Sequence, residues 1–466
     1  PMSERHVDVA VIGAGTAGLV AASEIRKVTD RFVIIQDGPP GTTCARVGCM
    51  PSKALIQIAH DFHRRSVFDR QGIRGAGGLT VDTAAVMRRV RELRDRFAGG
   101  MVKRTERYGE RLIKGRARFL EPTLLEVDGK RVRARRVIIA TGSRPRVPEA
   151  WSAFGDRLWT SDTFFEAEAL PASVAVIGLG VIGLELGQAM ARLGVEVLGV
   201  ARSLHLGGIT DPVVRDAAAE ALSGELTLWR GNPVSISEEN GHLVVCSGGQ
   251  RRAVDAVLAA TGRQPNVDAL GLETLNTPLR KDGVPEYDAA TLQVGHLPVF
   301  MAGDANADHP VLHEAWDDGL IAGRNAVADA PTRYQRRTPL HIVFSDPNIA
   351  SVGCRYAELE PDAIALGQEE FSDQPRAVIR GDNAGVVRLY GQPQTGRLLG
   401  AEFCVPGAEH LAHLLAWCIQ QRMTVREILR MPFYHPVLEE GVRAALEDLA
   451  AHTRDGASDC SLLPTP

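Results

Sequence analysis

A ten-residue segment occurs twice in this chain, and that repetition limits the fold more than any other feature. Val9-Ala10-Val11-Ile12-Gly13-Ala14-Gly15-Thr16-Ala17-Gly18 returns 165 residues later as Val174-Ala175-Val176-Ile177-Gly178-Leu179-Gly180-Val181-Ile182-Gly183. Each copy reads as a short β-branched strand, then Gly-x-Gly-x-x-Gly, then a helical pattern, then a second strand, Phe32 to Ile35 or Val195 to Val200. Glycines at these positions let the backbone approach a pyrophosphate, and the following helix offers free N–H groups and its positive dipole end. Gly13, Gly15 and Gly18 form one candidate phosphate loop; Gly178, Gly180 and Gly183 form the other. One such motif is weak evidence, because glycine turns are common. Two copies, each between a strand and a helix, define two dinucleotide modules, one suited to a flavin and one to a nicotinamide.

The fingerprint expects an acid for the adenine ribose some 20 residues on. Here the second strands end at Gln36 and Ala201, and neither is acidic. Gln36 can still hydrogen-bond ribose hydroxyls, which is compatible with FAD. Ala201 cannot, and Arg202 after it is the residue type that suits a 2′-phosphate, so NADPH is favoured over NADH; the alternative is a solvated surface arginine. Ala140-Thr141-Gly142 and Ala260-Thr261-Gly262 each follow an apolar strand and permit close approach of a cofactor. Val299 to Met301 reads as a buried strand leading to Gly303-Asp304, whose acid could accept a bond from a polyol or cap a helix.

Cys44 and Cys49 are the one closely spaced cysteine pair. Five residues do not align on a regular helix, so a bond between them needs a distorted first turn, which Gly48 and Pro51 could permit. Lys53 shares a helical face with Cys49, and a cation near a thiol favours the reactive thiolate. Near the C-terminus, His435-Pro436-Val437-Leu438-Glu439-Glu440 places a histidine beside carboxylates, the acid–base half of a thiol-activating arrangement. Pro436 suits the first position of a helix there.

Composition narrows the function classes. A net charge of −4 and 5% aromatic residues argue against nucleic-acid or membrane-surface binding, and no apolar run is long enough to span a bilayer. Strand pattern begins by Val7, which leads us to expect no signal peptide. Seven cysteines in 466 residues are too few for a disulfide framework, so a cytoplasmic protein is expected. No metal site is expected: His410 and His413, flanked by Cys404 and Cys418, read as part of an amphipathic helix. The arginine-rich stretch Arg88 to Arg118 reads as a solvated helical face.

With these motifs in order, the sequence resembles the flavin-dependent pyridine-nucleotide disulfide oxidoreductases of class I, most closely the dihydrolipoamide dehydrogenases. The resemblance covers about residues 5 to 450 and includes Ala260-Thr-Gly-Arg-Gln-Pro-Asn266, Phe344 to Gly353 and Gly396 to Gly400. It implies an α/β fold with two Rossmann-like domains, for FAD and NAD(P), and a C-terminal α+β dimerisation domain. The implied division is 1–150 and 266–336 for FAD, 151–265 for NAD(P), 337–450 for the interface, and 451–466 as a flexible tail. The resemblance further implies that Cys49 lies against the flavin and that Cys44 exchanges with substrate. Lys53 and Glu185 pair near the flavin, Asp304 holds its ribityl chain, and a homodimer brings His435 and Glu440 over the partner's disulfide. Thr43, Ala117, Thr141 and Gly142 join the flavin-binding set. Val181, Ile182, Val234, Gly262 and Arg263 join the nicotinamide set.

Three departures from that pattern stand out: Thr42 replaces a glycine, Gln36 replaces a glutamate, and Tyr434 replaces a small residue before the histidine, the last bearing on the substrate channel. Ala201-Arg202 looks like the NADPH-type pattern of mercuric reductases, whose adjacent C-terminal cysteine pair does not occur in the sequence. The leading expectation is a dithiol–disulfide oxidoreductase acting on a small dithiol or disulfide, a lipoyl group among them. The alternatives are an NADPH-dependent reductase of another disulfide, a quinone or a metal ion, and a redox-sensing flavoprotein that binds without turnover.

Overall fold

The computed structural model describes residues 4–454 and 462. Within it the two copies of the repeat fold alike down to strand register. Glu4–Ile12 runs parallel to Phe32–Gln36 with Val9 opposite Phe32, and Ser173–Ile177 runs parallel to Glu196–Ala201 with Val174 opposite Val197. Both faces of these strands are covered: Val9, Ala10 and Val11 are buried, as are Val174, Ala175 and Val176. Near-continuous apolar strands are what a parallel sheet between two layers requires.

Each module then adds a third parallel strand at its outer side. Leu112–Lys114 pairs with Phe32–Gln36, and Thr227–Arg230 pairs with Glu196–Ala201. Lys130–Ile139 and Ala256–Ala259 flank the opposite sides. The first sheet reaches seven strands through Ala117–Glu121, Leu124–Val127 and Val299–Met301, the last returning after the second module to pair with Lys130–Ile139. The two crossings between modules lie side by side as an antiparallel ribbon, Ser143–Pro145 against Arg263–Pro265.

The C-terminal portion is a five-stranded antiparallel sheet in the order Leu340–Val343, Asn348–Gly353, Leu398–Val405, Val386–Gly391, Ala365–Glu370. Helices Ala408–Gln420 and Glu439–Ala451 pack on it, the latter so closely that a Cβ on Gly367 would lie 2.3 Å from the Ala445 carbonyl. A buried carboxylate network joins this sheet to the second module. Glu402 accepts the Thr210 and Asp211 amide protons, and the Tyr390 hydroxyl donates to Asp211.

Two readings of the sequence need correcting. The arginine-rich stretch is helical only over Thr83–Glu106; Leu112–Lys114 and Ala117–Glu121 are strands, and Arg118 lies in the second of them. Of the segment read as a flexible tail from 451, Ala451 belongs to the last helix and the Arg454 amide donates to Pro393. Residues 455–461, with Cys460, and 463–466 lie outside the described residues. Among the described residues no helix is long and apolar enough to cross a membrane.

Candidate functional site

The phosphate loops are matched in detail. A Cβ on Gly13 would stand 2.1 Å from the Ala140 carbonyl, and one on Gly178 would stand 2.0 Å from that of Ala260. Both glycines have positive φ, so no other residue fits either contact. Gly18 and Gly183 lie equally close to the carbonyls of Gly13 and Gly178. Gly15 and Gly180 differ: each is a helix N-cap with no side-chain cap, and space in front of it is open to 4 Å. The first-turn N–H groups of helices Thr16–Ile25 and Val181–Arg192, the latter beginning with Val181 and Ile182, therefore face a cradle that suits a diphosphate. Both cofactors fit this backbone.

At the ribose positions the modules diverge. Gln36 donates from Nε2 to the Pro39 carbonyl, and Lys114 is its neighbour on the next strand. Ala117, buried, begins the strand beyond. In the second module Ala201 has Arg230 as its neighbour, Arg202 is exposed, and Val234 opens the following strand. Sequence reading missed Arg230, because the third strands follow the second by different distances in the two copies.

The Cys44–Cys49 spacing is accommodated by two helices. Thr43–Arg46 forms one turn, capped by the Thr42 hydroxyl accepting the Ala45 N–H at 3.3 Å. Gly48 breaks away, with a notional Cβ only 3.0 Å from the Cys44 Cα, and Cys49–His63 starts afresh. Pro51 falls in the first turn, where its missing N–H costs nothing. Thr42, a departure from the family pattern, is thus a cap for the turn that carries Cys44.

The two thiols are hydrogen-bonded to each other and titrate as a pair. The bond from Cys44, aided by the Lys53 ammonium, lowers Cys49 to about 7. The same bond and burial drive Cys44 up. Lys53 Nζ lies 2.8 Å from Glu185 Oε2 and 4.7 Å from the Phe344 ring centroid. Glu185 is buried, and its other oxygen accepts the Phe344 N–H at 2.9 Å. An ion pair from three segments therefore stands one helical turn behind Cys49.

Asp304 is no helix cap. Its carboxylate accepts the Ser143 hydroxyl at 3.1 Å, and Ser143 accepts the Arg263 Nε–H at 2.8 Å. Burial raises the Asp304 carboxyl, opposed by Ser143 and Arg263. The Thr141 hydroxyl donates to Asn266, while Gly142 and Gly262 take positive φ with open space beside them.

His435 and Glu440 come together as expected, by a different route. The His435–Pro436 bond is cis, Pro436 precedes the helix, and the last helix starts at Glu439. Pro436 therefore does not occupy the first helical position, contrary to the sequence reading. His435 Nδ1 lies 2.9 Å from Glu440 Oε1, and Glu440 Oε2 accepts the Val437 N–H. These two bonds hold the Glu440 carboxyl below the usual range. With Nδ1–H given to Glu440, Nε2 is the basic nitrogen. His435 is exposed and makes no hydrogen bond to either cysteine among the described residues; Tyr434 beside it is 81% exposed. His410 and His413 sit on helix Ala408–Gln420, and no metal-holding group of three ligands occurs among the described residues.

Two dinucleotide folds converging on a thiol pair define a flavoprotein oxidoreductase. The chain belongs to the pyridine nucleotide-disulphide oxidoreductases: residues 7–323 match that family and residues 340–446 match its dimerisation domain, which points to a homodimer. Its cofactors are FAD and NAD(P)H. A mercuric reductase of Acidithiobacillus ferrooxidans is 30% identical over 97% of this chain and 83% of that protein. A dihydrolipoyl dehydrogenase of Haloferax volcanii is 30% identical over 96% of this chain and 97% of that protein. The flavoprotein disulfide reductase RclA of Escherichia coli shares the fold, with a TM-score of 0.83, 21% identity and coverage of 95% of this chain and 99% of that one.

Proposed function

We propose that this protein is an NADPH-dependent dithiol–disulfide oxidoreductase whose exchange centre is Cys44–Cys49 and whose proton carrier is His435–Glu440. The observation that carries the reading is a close thiol pair, with Cys49 lowered to about 7 and Lys53 one turn away, in a chain that also presents an oriented, exposed imidazole. The accompanying division assigns 1–150 and 266–336 to FAD, 151–265 to NADPH and 337–450 to the subunit interface. The loops Gly13 to Gly18 and Gly178 to Gly183 would hold the two diphosphates, and Asp304 the ribityl chain.

FAD, when bound, supplies the two-electron link between the nicotinamide and the disulfide. The chain's own residues account for the exchange. Nε2 of the partner subunit's His435 takes the proton from the Cys44 thiol, whose sulfur attacks one sulfur of the substrate disulfide. This forms a mixed disulfide and expels a substrate thiolate, which takes that proton back from Nε2. The Cys49 thiolate then attacks Cys44 sulfur, closing the Cys44–Cys49 bond and releasing the second substrate thiolate. Lys53, fixed by Glu185, stabilises the negative charge at Cys49. A lipoyl group is the first disulfide to test.

A second reading, reduction of a metal ion or quinone, is favoured by Tyr434 beside His435 and by the mercuric reductase relatives. Steady-state turnover of the purified protein with NADPH and NADH separates the readings, using lipoamide, other disulfides, a quinone and Hg(II) as acceptors. Turnover of a disulfide with NADPH is expected. Turnover of the quinone or metal ion alone would replace the disulfide reading.

A further inference from the structure

We infer that Arg230 is a second 2′-phosphate ligand that works with Arg202 to select NADPH; the inference rests on the NADPH reading above. The repeat itself locates the residue. In the first module Gln36 ends the second strand, Lys114 is its partner on the third, and the Gly115 amide donates to the Gln36 carbonyl at 2.9 Å. In the second module Ala201, Arg230 and Gly231 repeat this arrangement, with the Gly231 amide donating to the Ala201 carbonyl at 3.0 Å. Arg230 thus stands beside the ribose-reading position, one strand over from Arg202, which follows it in the chain.

The electrostatics single out the same two residues. The other arginines of residues 151–265 are ion-paired: Arg157 with Glu238, Arg192 with Glu225, Arg215 with Asp216, Arg251 with Glu239, Arg252 with Glu196 and Arg263 with Asp162. Arg202 and Arg230 form no ion pair with an acid among the described residues. Arg230 donates from Nη1 to the Leu204 carbonyl at 2.9 Å, which sets its guanidinium against the loop that carries Arg202. That bond uses one of five N–H donors, and the planar fork can present the others to phosphate oxygens. Two unpaired guanidiniums flanking a strand end that lacks an acid suit a phosphomonoester dianion and gain nothing from a ribose hydroxyl.

The test compares wild type, Arg230→Gln and Arg230→Lys as holoenzymes. It measures kcat/KM for NADPH and NADH, and calorimetric affinity for 2′,5′-adenosine bisphosphate against 5′-ADP. For Arg230→Gln we expect a loss of about 10- to 100-fold for NADPH and the bisphosphate, with NADH and 5′-ADP changed less than about twofold. Arg230→Lys should recover part of the loss. If wild type favours NADPH but Arg230→Gln leaves the NADPH/NADH ratio unchanged, Arg230 is not a ligand, while the NADPH reading stands. If wild type favours NADH, the NADPH reading falls and this inference with it. An equal loss with both nucleotides, or failure to fold in Arg230→Gln alongside an unaltered ratio in Arg230→Lys, would make Arg230 a tether of the Leu204 loop and overturn the proposal.

Discussion

Neutralising the two halves of the Lys53–Glu185 pair should move the Cys49 thiol in opposite directions. Lys53 lies one helical turn from Cys49, where side chains start about 6 Å apart, and we take that separation for its charge and the sulfur. At an effective dielectric of about 20 that amounts to about 2.8 kcal/mol, and solvent at the exposed Cys49 reduces it by roughly half. Since about 1.4 kcal/mol is one pKa unit, Lys53→Met should raise the thiol from about 7 by about one unit. The Glu185 carboxylate lies one hydrogen bond further out, so Glu185→Gln should lower it by about half a unit. Glutamine keeps the acceptor for the Phe344 N–H, so the helix and loop stay joined. The assay is a pH titration of the long-wavelength absorbance between the Cys49 thiolate and oxidised flavin in two-electron-reduced enzyme. Cys49→Ser should abolish the band and Cys44→Ser should retain it. Shifts of the same sign in both charge variants, or an unmoved midpoint, would refute the electrostatic argument.

His435→Gln should slow disulfide reduction by about 10²- to 10⁴-fold, with flavin reduction by NADPH unchanged in stopped flow. Slowing of both halves equally would remove the proton-carrier role. Sedimentation at low micromolar concentration should give a species near twice 50.2 kDa, and an active monomer would defeat the shared site. Asp346 is half-buried, and that partial burial opposes its charge, yet His60 and Arg192 hold its carboxyl well below the usual range. A depressed folded-state value stabilises the protein above the unfolded value near about 3.9 and loses that contribution as pH falls below it. Asp346→Asn should therefore lower stability at neutral pH and flatten its decline below about pH 4, measured by chemical denaturation across pH.

Both dinucleotide modules were legible because their information is local. Strand, glycine loop and helix follow within 30 residues, and the glycine spacing leaves the backbone few alternatives. The thiol pair was legible as a pair, while its geometry was not: the sequence shows a spacing unsuited to one helix, and only the structure shows a second helix starting at Cys49 after Gly48. The Lys53–Glu185 contact spans 132 residues and came through family resemblance, since no periodicity links the two. Arg230 escaped because the redox segment and helix Thr83–Glu106 lie between the second and third strands of the first copy, so the third strands share no offset. Pro436 was misread because a proline beside acids looks the same from sequence whether it starts a helix or precedes one.

The paired crossings between the modules have a mechanical consequence. A module on one strand of linker can swivel, because rotation about a few backbone bonds meets little resistance. Here the chain leaves through Ser143–Pro145 and returns through Arg263–Pro265, and the strands are bonded at both ends, Arg146 N to Gly262 O at 2.8 Å and Asn266 N to Gly142 O at 2.9 Å. Two strands fastened this way resist torsion, so the second module is braced against twisting relative to the first at its point of entry and exit.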